Sequence, residues 1–178
     1  LSVASASGSF ADKNAGTGKT VSIGNIVLGG ADAGNYVFTG AATTTADITP
    51  KAITVSGITA SNKVYDATTA ATLNTGAASF SGLVGSDSVG VSGTGQFADK
   101  NVGTAKAVAI TSLVLDGADA GNYTVTTSAA PTADITPRAL TADGISAASK
   151  VYDGTTAATL DTAAGRLTSG VQGADDVS

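Results

Sequence analysis

Apolar and polar residues alternate along most of the chain, which is the spacing of a β-strand. In the segment Ala52–Ile58, residues Ile53 and Val55 stand two apart, and farther along Val89 and Val91 do the same. Successive side chains of a strand point to opposite faces of its sheet, so this period indicates strands with one buried face. Helical spacing over about 10 to 12 residues is found nowhere. We therefore predict an all-β protein, with at most a helical turn around the sequence DGADAGN.

The phase of the alternation changes within one long apolar segment. Val108 and Ile110 occupy even positions, whereas Leu113 and Leu115 occupy odd ones. Such a change turns the apolar side chains to the opposite face unless the strand bulges or ends. We therefore predict a bulge or a strand break near Thr111–Ser112. The same change of phase occurs in the matching segment 87 residues earlier.

The chain repeats its own sequence with a period of 87 residues. The repeated pairs are FADKNAGTGKTV and FADKNVGTAKAV at 10–21 and 97–108, KVYDATTAATLN and KVYDGTTAATLD at 63–74 and 150–161, and GADAGNY ending at Tyr36 and at Tyr123. Near the C-terminus the offset becomes 88, because Asp87 matches Asp175. A fixed period of this length is typical of tandem structural repeats, and the extra residue indicates an insertion in a loop.

Three copies of the repeat divide the chain. Residues 1–50 are the later part of one copy, 51–137 are a complete copy, and 138–178 are the opening part of a third. A frame of 1–87 and 88–178 is the alternative. Because the sequence begins and ends inside a copy, we expect it to be a window from a longer array.

Each copy holds about seven short strands separated by turn signals, which favours a two-sheet sandwich of immunoglobulin-like architecture repeated in an elongated array. A β-grasp unit is the alternative, and a continuous β-solenoid is third.

Pro50 and Pro137 fix φ where one copy meets the next, and they favour extended backbone at Thr49 and Thr136. We expect these joints to be short and stiff. Three pairs of aromatic residues recur in register and are expected to anchor the core: Phe10/Phe97, Tyr36/Tyr123 and Tyr65/Tyr152.

Composition removes most kinds of chemistry. The chain has no Cys, His, Met or Trp, and its 14 acidic residues are all Asp. A thiol nucleophile, an imidazole base, a Ser-His-Asp triad, the usual zinc site and disulfide bonds are thereby excluded. The net charge of -5 argues against nucleic acid as a partner. Runs of about 18 apolar residues are absent, so we expect no membrane span in this segment.

Two kinds of repeated motif are candidate sites. The sequence GTGKT at 16–20 resembles the end of a phosphate-binding loop, but Lys13 stands where that loop needs Gly, and the second copy reads GTAKA.

Four pairs of Asp recur, and no spacing matches a calcium loop. These pairs are Asp12/Asp99, Asp32/Asp119, Asp47/Asp134 and Asp66/Asp153. Turn chemistry is the favoured interpretation, in which Asp66 and Asp153 accept the backbone N–H two residues on.

An intramolecular isopeptide bond is a weaker candidate, because Lys13, Lys63, Lys100 and Lys150 recur near Asn or Asp. We predict no catalytic, cofactor-binding or metal-binding residues and no cofactor. The protein is therefore not expected to be an enzyme.

The ordered motifs KVYDGTT, GTGQFADKNVGT, GADAGNYTV and TADITPRALT resemble the YDG-type repeat of large bacterial surface adhesins, which include filamentous-haemagglutinin-like exoproteins. The resemblance spans essentially the whole chain. It departs at Ala67, which stands where the signature and the later copy (Gly154) have Gly. From this alanine we expect that the turn does not need positive φ.

The resemblance implies secretion and an extracellular position on the bacterial cell surface. Together with the repeats it predicts a structural stalk or fibre segment that projects an adhesive region. The alternative is a ligand-binding adhesin module that recognises a glycan or protein through its loops. Expected partners are the neighbouring repeats and like chains added by strand pairing at the ends, with an unidentified host or cell-surface ligand.

Overall fold

A computed structural model describes residues 2–40 and 42–177. Over these residues the chain forms strands and two single 3-10 turns, Ala33–Asn35 and Ala120–Asn122, with no α-helix. The prediction of an all-β protein is confirmed, and both 3-10 turns lie in the two copies of the sequence GADAGN.

The early strands are β1 (Ser2–Phe10), β2 (Gly16–Gly29), β3 (Ala42–Ile48), β4 (Lys51–Ser56), β5 (Thr59–Ala60), β6 (Lys63–Val64), β7 (Ala70–Ala71), β8 (Leu73–Asn74) and β9 (Ser79–Ser81). The later strands are β10 (Gly90–Phe97), β11 (Gly103–Asp116), β12 (Tyr123–Thr127), β13 (Thr132–Thr136), β14 (Thr141–Asp143), β15 (Ser146–Ala147), β16 (Leu160–Asp161) and β17 (Arg166–Ser169).

The chain forms two compact units, each built from three separate segments. Unit 1 comprises Leu1–Gly57, Ala77–Ser92 and Leu113–Ala129, and unit 2 comprises Ile58–Gly76, Gly93–Ser112 and Ala130–Ser178. Each unit thus combines residues from two successive sequence copies. The sequence copy and the compact unit are different divisions of the chain.

Unit 1 contains two sheets of three strands. In the first sheet, β2 lies between β1 and β3, and both pairings are antiparallel. In the second sheet, β4 lies between β12, which it pairs in parallel, and β9, which it pairs antiparallel. The alternation in β4 places Ile53 and Val55 in the interior, where they are 2% and 0% exposed. The period-two pattern therefore identified this strand and its buried face correctly.

The predicted bulge is present in the first copy of the repeat. The register of β1 and β2 shifts between the pairs Ser7↔Gly24 and Ser5↔Val27, and Asn25 has a φ of 50°. An extra residue on one strand is what reverses the phase of the apolar side chains. In the second copy, β11 runs without a break through Thr111–Ser112. A break is excluded there, and a bulge at that place stays a prediction.

Unit 2 contains a sheet in the order β6-β13-β11-β10-β7 and three two-stranded pairings, β5-β8, β14-β17 and β15-β16. Its core has two sides. One side, which we call the base cluster, consists of buried residues on β10, β11 and β13, namely Phe97, Val108, Ala133 and Ile135. The other side comes from residues 60–73, which we call the cover segment. It packs Ala60, Tyr65, Ala71 and Leu73 against the base cluster.

The first copy has the same four residues, and among the described residues no cover segment packs on them. They are Phe10, Val21, Ala46 and Ile48, 87 positions before their counterparts. Phe10 is 38% exposed whereas Phe97 is 2% exposed. The third copy presents the reverse case, because its cover segment, residues 147–160, is exposed throughout.

The prediction that all three aromatic pairs anchor the core is correct for one member of each pair. Phe97 and Tyr123 are buried and Tyr65 is half-buried. Their counterparts Phe10, Tyr36 and Tyr152 are exposed, so the prediction is wrong for these three. The reason is that distant segments of the second copy together bury its aromatic residues, whereas residues 1–50 and 138–178 each contain only one part of a copy.

The joint at Pro50 is short, as predicted, because β3 ends at Ile48 and β4 begins at Lys51. At Pro137 the strands are farther apart, since β13 ends at Thr136 and β14 begins at Thr141. The stiffness of these joints stays a prediction.

Two alanines have left-handed backbone at positions where another copy has glycine. Ala67 has a φ of 61° and its counterpart Gly154 has 72°, while Ala105 has 48° and its counterpart Gly18 has 60°. The expectation that the turn at Ala67 does not need positive φ is therefore wrong. A Cβ in this region crowds the following carbonyl oxygen, so both alanines carry strain that glycine does not.

Replacing either alanine with glycine is expected to stabilise unit 2. We expect Ala67→Gly and Ala105→Gly each to raise the free energy of unfolding by about 0.5–1 kcal/mol, since relief of strain exceeds the added entropy of the unfolded chain. Urea unfolding measures the change. Gly154→Ala is the matched control and should destabilise. A lower stability for both glycine variants would contradict the left-handed geometry.

Candidate functional site

The sequence KVYD builds a closed turn around a lysine ammonium group. Lys63 Nζ donates to Asp66 Oδ1 at 2.8 Å, to the Thr68 carbonyl at 2.8 Å and to the Ala70 carbonyl at 3.0 Å. Asp66 Oδ1 also accepts the Thr68 backbone N–H at 2.9 Å. We call residues 63–70, and the matching residues 150–157, the KVYD turn. The prediction that Asp66 caps the N–H two residues on is confirmed.

The KVYD turn of the third copy repeats the bonds between the lysine, the aspartate and the threonine. Lys150 Nζ donates to Asp153 at 2.9 Å and to the Thr155 carbonyl at 2.9 Å, and Asp153 accepts the Thr155 N–H at 2.9 Å. The conformation of the turn is therefore set by its own residues and does not depend on packing against a sheet. Only the earlier lysine also faces an aromatic ring, because Lys63 Nζ lies 5.6 Å from the centre of the Phe97 ring.

Unit 1 joins two sequence copies through a cluster of charged and phenolic groups. Lys13 Nζ donates to Asp87 at 2.7 Å and to Asp119 at 3.3 Å. The Tyr123 hydroxyl donates to the other Asp87 oxygen at 2.7 Å and accepts the Val84 N–H at 3.0 Å. Lys13 belongs to the first copy and the other residues to the second. We call this group and its counterpart in unit 2 the joint clusters.

Unit 2 places the same Lys-Asp pair between the second and third copies. Lys100 Nζ donates to Asp175 at 2.5 Å, and these residues are the counterparts of Lys13 and Asp87. The hydroxyl here comes from Tyr65, which donates to Asp175 at 2.6 Å. Lys100 Nζ also lies 5.6 Å from the centre of the Tyr65 ring. One joint thus uses a tyrosine of the GNY motif and the other a tyrosine of the KVYD turn.

These contacts shift the acid-base equilibria of their members. The Lys63 ammonium, helped by the Thr68 N–H and hydroxyl, lowers the pKa of Asp66 to about 2. Lys13 and then Tyr123 lower the pKa of Asp87, and Lys100 and then Tyr65 lower that of Asp175. Burial, followed by the hydrogen bond to Asp87, raises the pKa of Tyr123. At neutral pH the lysine and the aspartate of each joint cluster therefore form an ion pair.

Each joint cluster borders an open cleft. The cleft in unit 2 has a volume of about 420 Å³ and is lined by Tyr65, Lys100, Arg138, Asp175 and apolar residues that include Leu140. The cleft in unit 1 is smaller, about 230 Å³, and is lined by Lys13, Lys51, Asp87, Tyr123 and others. Both clefts lie beside the residues that link successive copies.

The repeated aspartates serve turns and strand ends. Asp12 and Asp99 accept the N–H of Asn14 and of Asn101, each at 2.8 Å. Asp47 accepts the Gly18 N–H and Asp134 the Ala105 N–H, each at 2.7 Å. Asp119 accepts the Ser88 N–H at 2.9 Å, and Asp32 precedes a 3-10 turn. Over residues 2–40 and 42–177, no three acidic side chains come together in a way that could hold a metal ion.

The sequence GTGKT is part of strand β2 and not of a loop before a helix. Its Gly18 N–H donates to the Asp47 carboxylate at 2.7 Å. This geometry agrees with the rejection of a phosphate-binding loop.

The isopeptide bond stays a prediction. The Lys100 amine forms an ion pair with Asp175 at 2.5 Å, and Asp175 and then Tyr65 raise the pKa of Lys100 above its usual range.

Sequence reasoning found the parts of the joint clusters but not their assembly. Asp87 and Asp175 were matched only as a sign of an inserted residue, and the lysines only as isopeptide candidates. Lys13 and Asp87 lie 74 positions apart, and Tyr65 and Asp175 lie 110 apart. The one available signal was that every member of the ion pair recurs with the repeat.

The pKa shifts predict how stability depends on pH. Carboxyl groups with a folded pKa below 3.8 contribute stability above that pH and lose it as the pH falls from about 3.8 toward 2. The raised pKa of Tyr123 contributes stability below pH 10.0 that is lost at higher pH. We expect the urea midpoint to be flat from about pH 5 to 9 and to fall on both sides.

The control for this prediction is Asp66→Asn, which should reduce the acid-side slope. An unchanged midpoint between pH 5 and pH 2 in the unmodified protein would contradict the charge pairs described above.

The comparisons with known proteins give one match. The model of the YDG domain matches residues 1–46, 49–132 and 136–178, which correspond to three successive copies. Among the curated proteins and the solved structures, none matches the chain. Among the described residues there is also no helix with the length and apolar character needed to cross a membrane.

Proposed function

Because the chain belongs to the YDG domain family, we propose that it is a structural stalk or fibre segment of a bacterial cell-surface adhesin. In this role the protein is secreted, and its repeats hold an adhesive region away from the cell surface. The finer assignment, that each repeat is an immunoglobulin-like sandwich, is part of the same proposal.

The observation that carries this proposal is the repeated Lys-Asp joint. Lys13 pairs with Asp87 at 2.7 Å and Lys100 pairs with Asp175 at 2.5 Å, and each pair links one sequence copy to the next. Asp87 and Asp175 are largely shielded, with side chains 14% and 21% exposed. An ion pair that recurs between successive copies favours a mechanical series of repeats, because each added copy is attached to the one before it in the same way.

The test measures length against the number of copies. Chains with two, four and six copies are compared by small-angle scattering, and the maximum dimension should rise by a constant increment. A strand of about 7 residues extends about 25 Å, so each copy should add at least that length. A maximum dimension that levels off as copies are added would refute the stalk.

A matched control separates the joint from the fold. Lys13→Ala and Lys100→Ala together remove both joint ion pairs, whereas Lys19→Ala and Lys106→Ala remove the bonds to Asp12 and Asp99 inside one copy. Only the first pair of changes should make the scattering profile of a multi-copy chain more flexible.

The second candidate is ligand binding, favoured by the cleft of about 420 Å³ beside Tyr65, Lys100 and Arg138. An aromatic ring beside cationic groups could hold a sugar or an acidic peptide. Binding of this chain to a glycan array, lost in Arg138→Ala, would favour the adhesin module over the stalk.

A further inference from the structure

Three aspartates of the chain are followed directly by glycine, namely Asp116, Asp143 and Asp153. In an Asp-Gly sequence the backbone nitrogen of the glycine can attack the side-chain carbon of the aspartate, because glycine has no Cβ to hinder the approach. The attack closes a five-membered succinimide ring, which reopens to aspartate or to its isomer isoaspartate. In a folded protein the reaction depends on where the carboxyl group is held relative to that nitrogen.

The carboxylate of Asp143 lies against the nitrogen that would attack it. The Gly144 N–H donates to Asp143 Oδ1 at 2.7 Å. The Asp143 side chain is 69% exposed, and its other oxygen is 3.9 Å from the Arg166 guanidinium, which is a weak contact in water. The two reacting groups are therefore held together at a place that solvent reaches.

The carboxylates of the other two aspartates are engaged elsewhere. Asp153 Oδ1 accepts the Lys150 ammonium and the Thr155 N–H, each at 2.9 Å. Lys150 and then Thr155 lower the pKa of Asp153, which keeps this carboxylate ionised and a poor electrophile. The Asp116 carboxylate lies over Gly90 of the neighbouring strand, where a Cβ would collide with it. Of the three, the Asp143 carboxylate alone is bonded to the glycine that follows it.

The same turn occurs in the complete second copy, where Ser56–Gly57 is the counterpart of Asp143–Gly144. Gly57 has a φ of 78° and Gly144 one of 80°. Each glycine packs against the carbonyl group of an alanine at matching positions of the repeat. Ser56 is exposed within the complete copy. The geometry and the accessibility of this turn are therefore properties of the repeat.

We propose that Asp143–Gly144 is a site of spontaneous isoaspartate formation in the folded protein. The Gly144 nitrogen forms a bond to Cγ of the protonated Asp143 carboxyl group. The bond from Cγ to the hydroxyl breaks, and the hydroxyl leaves as water with the proton lost from the nitrogen. A second water then adds to the ring carbonyl that came from the Asp143 main chain, and the bond from that carbonyl to the Gly144 nitrogen breaks. The product has the mass of the original protein, but its chain continues through Cγ.

This isomer has one more backbone carbon at the end of β14. Asp143 pairs with Arg166 of β17, and the next residue, Gly144, packs so closely on the Ala164 carbonyl that a Cβ would collide with it. A longer backbone does not fit this turn, so we expect the pairing of β14 with β17 to loosen. The second copy has Ser56 at this position and does not react. The inference goes beyond the stalk proposal and does not depend on it.

The first test is prolonged incubation of the folded 178-residue chain at about pH 5, where part of an ordinary carboxyl population is protonated. Peptide mapping by mass spectrometry then locates isoaspartate and the dehydrated ring. Isoaspartate should form at Asp143 at least about tenfold faster than at Asp116 or Asp153, because the placement of reacting atoms controls the rate. In chains unfolded in urea the three rates should be similar. Equal rates in the folded protein, or no isoaspartate at Asp143, would overturn the proposal.

The second test moves the site between copies. Asp143→Ser gives the third copy the residue of the second copy, and it should abolish the reaction there with the fold retained. Ser56→Asp places the reactive pair on the turn of the complete second copy, and isoaspartate should then form at position 56 as well. A folded Ser56→Asp chain that does not react at position 56 would show that this turn does not drive the reaction.

Hydrogen exchange measures the consequence for the sheet. After conversion, the amides of β14 and β17 should exchange at least about tenfold faster, since a loosened strand pair opens more often. The amides of β4 and β9, the matching strands of the second copy, should keep their rates. Unchanged exchange in β14 and β17 would contradict the loosening of this sheet.

Discussion

Replacing Phe97 with alanine is expected to lower the free energy of unfolding by about 3–5 kcal/mol, the usual effect of removing a buried aromatic side chain. The ring is 2% exposed and lies in the base cluster with Val108, Ala133 and Ile135. It also faces the Lys63 ammonium, whose interaction with the ring is lost. Since small domains are stable by about 5–15 kcal/mol, this change removes a large part of the total. Urea unfolding followed by circular dichroism measures it.

The matched control is Phe10→Ala, which removes the same residue type from the same position of the repeat. Phe10 is 38% exposed, so we expect this change to lower the free energy of unfolding by at most about 1 kcal/mol. Equal losses for the two variants would mean that the cover segment does not bury Phe97 selectively. The comparison therefore tests the two-sided core of unit 2 without dependence on any assumed function.

The contrast between these two phenylalanines shows what the sequence could predict. The period of two in Ile53 and Val55 and the recurrence of every motif after 87 residues were enough for the all-β class and the repeat. The bulge at Asn25 also followed from a local pattern, because a bulge reverses the phase of neighbouring side chains. Each of these features depends on residues close together in the sequence.

Burial depends on residues that are far apart, and it could not be predicted in the same way. Phe10 and Phe97 have the same sequence context, and only the presence of residues 60–73 over one of them decides which is buried. The joint clusters have the same origin, because Asp87 receives Tyr123 while Asp175 receives Tyr65. A repeat indicates which residues correspond, but not which copy supplies the neighbour.

Ala67 shows a different limit. Sequence reasoning treated an alanine in place of glycine as evidence for ordinary backbone, yet its φ is 61°. The bonds of the KVYD turn explain why this strain is tolerated. Lys63 and Asp66 close the turn on both sides of residue 67, so the turn holds the backbone in a conformation that alanine alone would avoid.

Replacing Lys63 with alanine is expected to lower the free energy of unfolding by about 2–3 kcal/mol, because hydrogen bonds to charged groups contribute more than neutral ones. The side chain is 17% exposed, and its ammonium bonds Asp66 and the carbonyls of Thr68 and Ala70. Without it, the carboxylate and both carbonyls lose their shared donor. Thermal and urea unfolding measure the loss.

Lys150→Ala is the matched control for this prediction. Lys150 makes the same bonds to Asp153 and Thr155, but its side chain is 39% exposed, and among the described residues no sheet lies beneath its turn. Water can replace the lost donor there, so we expect a change below about 1 kcal/mol. If both lysines proved equally important, the turn itself would be the source of stability. A loss confined to Lys63 would instead show that the KVYD turn stabilises the protein through the sheet on which it is packed.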